Sequence, residues 1–286
     1  MKSPWPRRVV ASLFLITVPL TVLIGCMPAS WGAGALLHPY RRHVTMPRPP
    51  GAEDLEIQGA AGKLRGWRFR HFGNARGTVI YLHGSADNRT SGLFVAERFT
   101  RRGYDVVAYD SRAHGESEGE ACTYGYYEKQ DLRRVIDAVE RGPVAVLGVS
   151  LGGAVALQAA AIDPRIRAVV AVSTFSDLRT VATERAPRIA SKDEIEAAFR
   201  LAESTAHFQV DDVSPVASAR DIAVPVLLVH GEDDHETPSA HSQRVFAALP
   251  GAKRLLLVPG AGHNDALRPD VWTAIEAWID TACPAG

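Results

Sequence analysis

Val144-Ala145-Val146-Leu147-Gly148-Val149-Ser150-Leu151-Gly152-Gly153-Ala154-Val155-Ala156-Leu157 is the stretch on which the fold turns. Its first six residues are apolar or glycine with no polar alternation, the pattern of a strand covered on both faces. Residues 152–161 are mostly small and apolar, which suits a helix lying close against a sheet. Between the two stands Gly148-Val149-Ser150-Leu151-Gly152. Strand, serine-bearing turn and helix form the context in which a G-x-S-x-G motif exposes its hydroxyl. The turn forces the serine into strained backbone, and Gly148 and Gly152 let neighbouring chain pass without Cβ clashes. The serine then sits at a helix N-terminus, where partial positive charge favours a developing anion.

Further apolar runs occur at Thr78–Leu82, 106–109, 168–172, 224–229 and 254–258, and residues 64–72 alternate loosely as an early strand. Helical spacing fills the gaps. Leu132, Val135, Ile136 and Val139 keep i, i+3, i+4, i+7, and Val271, Ile275 and Ile279 mark one face of a C-terminal helix. Strands alternating with amphipathic helices predict an α/β fold with a mostly parallel sheet covered on both sides. Residues 173–221 exceed what a crossover requires. They hold a plausible helix over 191–206 with Asp193 and Glu194 in its first turn, and read either as a small cap or as a long crossover beside the sheet.

Three more segments follow strand ends in a fixed order. Leu82-His83-Gly84-Ser85 closes the strand at Thr78–Leu82. His230-Gly231-Glu232-Asp233-Asp234-His235-Glu236-Thr237-Pro238 follows the strand at 224–229, and Pro259-Gly260-Ala261-Gly262-His263 follows the last strand. With Ser150, these motifs are similar to those of the α/β-hydrolase superfamily of serine hydrolases, its esterases and lipases included, from about Lys63 to the C-terminal helix. The resemblance implies a catalytic triad of Ser150, Asp234 and His263, with Asp233 as the acid if the loop is shifted by one residue. It also implies an oxyanion hole made by the backbone N–H groups of Ser85 and Leu151. Residues 109–117 resemble a further loop of the family, usually structural, with Ala113 where glycine is usual. His83 and His230 are expected to hold their turns, and His38, His43, His71, His207, His235 and His241 belong to no motif.

Composition narrows the function classes. The 286-residue chain carries 32 basic and 32 acidic residues, so no global basic field is available to hold nucleic acid. No Cys/His spacing resembles a zinc site, and the implied chemistry asks for no metal or cofactor. The first acidic residue is Glu53, whereas Lys2, Arg7, Arg8, Arg41, Arg42 and Arg48 precede it. Residues 9–24 are an apolar run, shorter than the roughly 20 residues that span a bilayer comfortably. The run ends in Leu23-Ile24-Gly25-Cys26, which resembles the lipobox of bacterial lipoproteins and makes Cys26 a candidate lipidation site. A plain membrane anchor is the other reading, and both place the catalytic domain outside the cytoplasm. Residues 1–26 are therefore expected to be a signal or anchor, 27–52 a linker arm and 53–286 the hydrolase domain. Cys122 and Cys283 could pair or remain buried thiols. The expected activity is cleavage of a carboxylic ester or thioester in a small or lipid-like acyl substrate, with a serine peptidase or a non-catalytic membrane-attached binding protein as alternatives.

Overall fold

The computed structural model describes residues 28–139 and 142–284. The expected signal or anchor, Cys26 included, lies outside them; among the described residues no helix is long and apolar enough to cross a membrane. Eight strands form one sheet in the order β1-β2-β4-β3-β5-β6-β7-β8. They are β1 (Ala52–Gly59), β2 (Gly62–Phe69), β3 (Thr78–Leu82), β4 (Asp105–Tyr109), β5 (Val144–Val149), β6 (Ile166–Val172), β7 (Val226–Gly231) and β8 (Lys253–Val258). Only β2 runs against the others, pairing antiparallel with both β1 and β4. This is the mostly parallel α/β architecture that the apolar runs predict. The edge strand β1 is not among those runs, because half of it faces solvent and its Glu53, Asp54, Glu56 and Gln58 dilute the apolar signal.

Helices cover both faces of the sheet. On one side α3 (Glu128–Val139), α4 (Leu151–Ala160), α7 (Pro215–Ala219) and α8 (Ala240–Ala248) pack through Leu132, Val135, Val155 and Val245 on Ile80, Val146 and Val169. On the other, α2 (Leu93–Arg101) and α9 (Pro269–Ala282) pack through Phe99, Val271, Ile275 and Ile279 on Val79, Val106 and Val170. Fully burying each such side chain is worth about 1.5–3 kcal/mol, which makes these two layers the main source of stability. Cys122 belongs to the first layer and Cys283 to the second, and both are buried free thiols. The sheet between them rules out their pairing.

A third apolar cluster lies beyond the strand ends. It joins α1 (Ala29–Leu37), α5 (Leu178–Arg185) and α6 (Lys192–Ala206) through Ala33, Leu37, Val181 and Phe199, and reaches Ala154 of α4. The helix expected over 191–206 is α6, started by a Ser191–Glu194 capping box. Of the insertion at 173–221, the α5–α6 part forms this cap layer, while α7 packs against α4 and α8. Residues 29–37, expected to lie in a linker arm, are helical and complete the cap.

Candidate active site

The site is built where parallel strands end. Gly148 of β5 pairs with Leu82 of β3, and Val149 pairs with Val172 of β6, so the chain leaves the sheet at Ser150 with neighbours on both sides. The Ser150 amide donates to the Val172 carbonyl at 2.8 Å. The serine has φ 51° and ψ −112°, a sparsely populated conformation costing about 1–3 kcal/mol that the surrounding packing must impose. The glycines explain why it can exist. A Cβ on Gly148 would stand 2.2 Å from the Gly152 carbonyl, and one on Gly152 would stand 2.2 Å from the Leu82 oxygen. Both motif glycines are therefore required by close backbone approach, as expected from the sequence.

Three side chains from three strand ends meet in a line. His263 Nε2 lies 3.0 Å from Ser150 Oγ, and His263 Nδ1 lies 2.7 Å from Asp234 Oδ2. The His263 loop is fixed by its own carbonyl, which accepts from Ser173 Oγ at 3.0 Å. Asp234 is buried and Asp233 is exposed, so the adjacent pair separates into one carboxylate inside the site and one outside it. Asp234 Oδ1 accepts the Glu236 and Thr237 amides at 3.0 and 2.8 Å. Burial by itself would raise the Asp234 pKa, but hydrogen bonds from His230, His263 and Thr237 outweigh it and hold the carboxyl well below the ordinary range.

His230 is a partner that no spacing in the sequence identifies. Its Nε2 lies 2.7 Å from the Thr237 carbonyl and 3.2 Å from Asp234 Oδ2, and its Nδ1 lies 2.6 Å from Ser242 Oγ. A carbonyl only accepts, so Nε2 carries the proton and shares it with Asp234, while Nδ1 accepts from the Ser242 hydroxyl. His83 donates from Nδ1 to the Gly84 carbonyl at 2.7 Å and accepts the Ser111 amide at Nε2, which ties down the turn before Ser85. Both histidines hold their loops, as their positions in the turns imply.

Leu151 opens α4, so its N–H has no acceptor within the helix. Gly84 passes so near this turn that a Cβ on it would stand 3.6 Å from the Ser150 Cβ, which brings the Ser85 turn beside Ser150. Asp110 is engaged elsewhere: it accepts from the Arg89 amide at 2.7 Å and from its guanidinium at 2.5 Å. A cavity of about 420 Å³ adjoins this turn, walled by α1, α5 and α6 and reaching Ser85 and Ala86. The contribution of α1 to that wall has no motif to announce it.

Comparison with known proteins agrees with this fold. A family model described as alpha/beta hydrolase fold matches residues 77–194, and one described as TAP-like protein matches residues 197–281. The chain is 30% identical to the uncharacterized protein YfhR of Escherichia coli strain K12 over 234 residues, 77% of this chain and 76% of that one. It is 31% identical to 2,6-dihydropseudooxynicotine hydrolase of Paenarthrobacter nicotinovorans over 222 residues, 73% of this chain and 58% of the relative. Among solved structures, the esterase Pf2001 of Pyrococcus furiosus superposes with TM-score 0.69 at 23% identity, covering 85% of this chain and 99% of that one. Fold, motif order and these relatives agree: the chain belongs to the alpha/beta hydrolase family.

Proposed function

We propose that the protein is a serine hydrolase that cleaves carboxylic esters or thioesters through an acyl-enzyme. The observation that carries the reading is the unbroken line Ser150 Oγ–His263 Nε2 and His263 Nδ1–Asp234 Oδ2, at 3.0 and 2.7 Å. In the first half-reaction Ser150 Oγ attacks the acyl carbon while its proton passes to His263 Nε2. The carbonyl π electrons move onto oxygen, where the Ser85 and Leu151 amides would receive the charge. The C–O or C–S bond to the leaving group then breaks, and His263 returns the proton to the departing atom. Water repeats the sequence, giving one proton to His263 as it attacks, and the carboxylic acid leaves as Ser150 recovers its hydrogen. Asp234, kept ionised, holds the Nδ1–H tautomer and stabilises the imidazolium. No metal or organic cofactor enters these steps.

A peptide bond could be attacked by the same three groups. The mainly apolar cavity beside Ser85 favours an acyl chain over a peptide. The basic start, the apolar run over 9–24 and Cys26 support export and attachment to a membrane, with the catalytic domain outside the cytoplasm. Mass spectrometry of the mature chain tests this part: a diacylglyceryl Cys26 supports the lipoprotein form, and an intact Met1 in the membrane fraction the anchor form. For the activity, wild type and Ser150→Ala are compared on a panel of esters, thioesters and peptides. Ester or thioester turnover lost by a factor of about 10⁴ or more in Ser150→Ala, with an unchanged melting temperature, is the expected result. Equal behaviour of the two proteins would instead favour a binding protein built on the same fold.

A further inference from the structure

The two family models match residues 77–194 and 197–281; α1 lies ahead of both segments and walls the cavity. Trp31, Gly32 and Leu36 of α1 face Val181 of α5 and Ile195 and Phe199 of α6 across it. The wall is anchored firmly. The Leu37 carbonyl accepts the Cys122 amide at 2.8 Å, and the Leu36 carbonyl accepts the Tyr124 hydroxyl at 3.0 Å. Arg41 then donates to the Ser117 and Gly119 carbonyls at 3.0 and 2.8 Å. At the crossing with α6, a Cβ on Gly32 would stand 2.7 Å from that of Ala198, so the two helices touch backbone to side chain.

We propose that this cavity holds a single aliphatic acyl chain of the substrate, and that α1 is the wall setting the length it accepts. The inference rests on the hydrolase reading above and specifies its substrate class. The volume of about 420 Å³ falls within the usual range for ligand pockets. The chemistry of the lining is more selective than its size. Its charged residues are Arg185 and Glu194, and both already have partners. Arg185 donates to the Glu236 carbonyl at 2.9 Å and to Thr237 Oγ1 at 2.5 Å, and Glu194 accepts from Ser191 at 2.8 Å. No buried polar side-chain atom left without a partner, among the described residues, belongs to the lining. Apart from these two side chains the lining carries no charge, and a methylene chain entering it gives up no hydrogen bonds to water. Ser85 borders the cavity and its neighbour Gly84 lies against Ser150, so a chain in the cavity would present its carbonyl to Ser150 Oγ past that turn.

The test uses alkyl fluorophosphonates with ethyl to dodecyl chains on the full-length protein. In each, Ser150 Oγ would bond to phosphorus as fluoride leaves, and labelling rates are followed by mass spectrometry of the Ser150 peptide. The rate constant should rise about fourfold per added methylene until the cavity is full, then level off. Leu36→Trp should shift that levelling to shorter chains and lower the decyl-to-ethyl ratio at least tenfold. Leu36→Ala should shift it to longer chains, a change that misfolding cannot mimic. A flat profile in labelled wild type, or identical profiles in both Leu36 variants, would overturn the proposal while leaving the hydrolase reading intact. Absence of labelling by every probe would overturn that reading, and the acyl assignment with it.

Discussion

Asp234 is held by the Glu236 and Thr237 amides on one carboxylate oxygen and by His230 and His263 on the other. An asparagine there would place an NH₂ against donors and could not balance an imidazolium. Asp234→Asn should therefore lower turnover by about 10⁴, as loss of the correct histidine tautomer does in comparable triads. Asp233→Asn should leave turnover within about twofold, since that side chain is exposed; comparing kcat for the two variants decides which carboxylate is used. At this scale most of the site was legible. Ser150, Asp234 and His263 each follow a strand end with a motif around it, and strand ends are where a parallel sheet assembles side chains. The resemblance implies Asp234 over its neighbour Asp233, a choice that depends on one residue of loop register; what could not be read was the second donor His230. That contact arises because the loop from Gly231 to Thr237 folds back on its own strand, and no spacing rule encodes it.

At the scale of elements, the elbow depends on clearance. Gly152→Ala would drive a Cβ to 2.2 Å from the Leu82 oxygen, a contact that backbone cannot absorb without moving β3 or α4. The variant should be destabilised by roughly 3 kcal/mol or more, seen as a lower urea midpoint together with loss of fluorophosphonate labelling. This element was readable because its strand, turn and helix each carry a strong local signal. The α1 helix carries none. Its nine residues, Ala-Ser-Trp-Gly-Ala-Gly-Ala-Leu-Leu, include two glycines, lack a side-chain N-cap and are small or apolar all round, so no amphipathic period announces a helix. Packing of Ala33 and Leu37 against the cap holds it in place. Gly32→Leu should lever α1 off Ala198, and limited proteolysis should then cut within residues 28–43 faster than in wild type.

Taken as a whole molecule, the sheet joins two apolar layers and a cap, and its buried histidines make stability depend on pH. His114 is buried beside His83 at a ring-centroid distance of 5.1 Å, and burial, reinforced by the neighbouring ring, lowers its pKa to about 4. The folded state therefore binds fewer protons than the unfolded chain between about pH 4 and the unperturbed value near 6.5. Stability from this group is complete above that window and is lost as the pH falls through it, by about 3 kcal/mol at most. Thermal unfolding followed from pH 7 to pH 4 should show that decline, and His114→Gln should make it shallower. At this scale the α/β class was legible from alternating apolar runs and helical periodicity. Strand order was not, since it depends on crossovers and on the antiparallel β2 inserted between β1 and β4.

Acylation of Ser150 by an ester substrate can be observed directly. Acid quenching of the protein during turnover of p-nitrophenyl butyrate, followed by peptide mass spectrometry, measures the acylated fraction. A butyryl adduct on the peptide bearing Ser150, absent in Ser150→Ala and accumulating in step with a burst of p-nitrophenol, is the predicted result. Turnover retained in Ser150→Ala, or an adduct on another residue, would contradict acylation of Ser150.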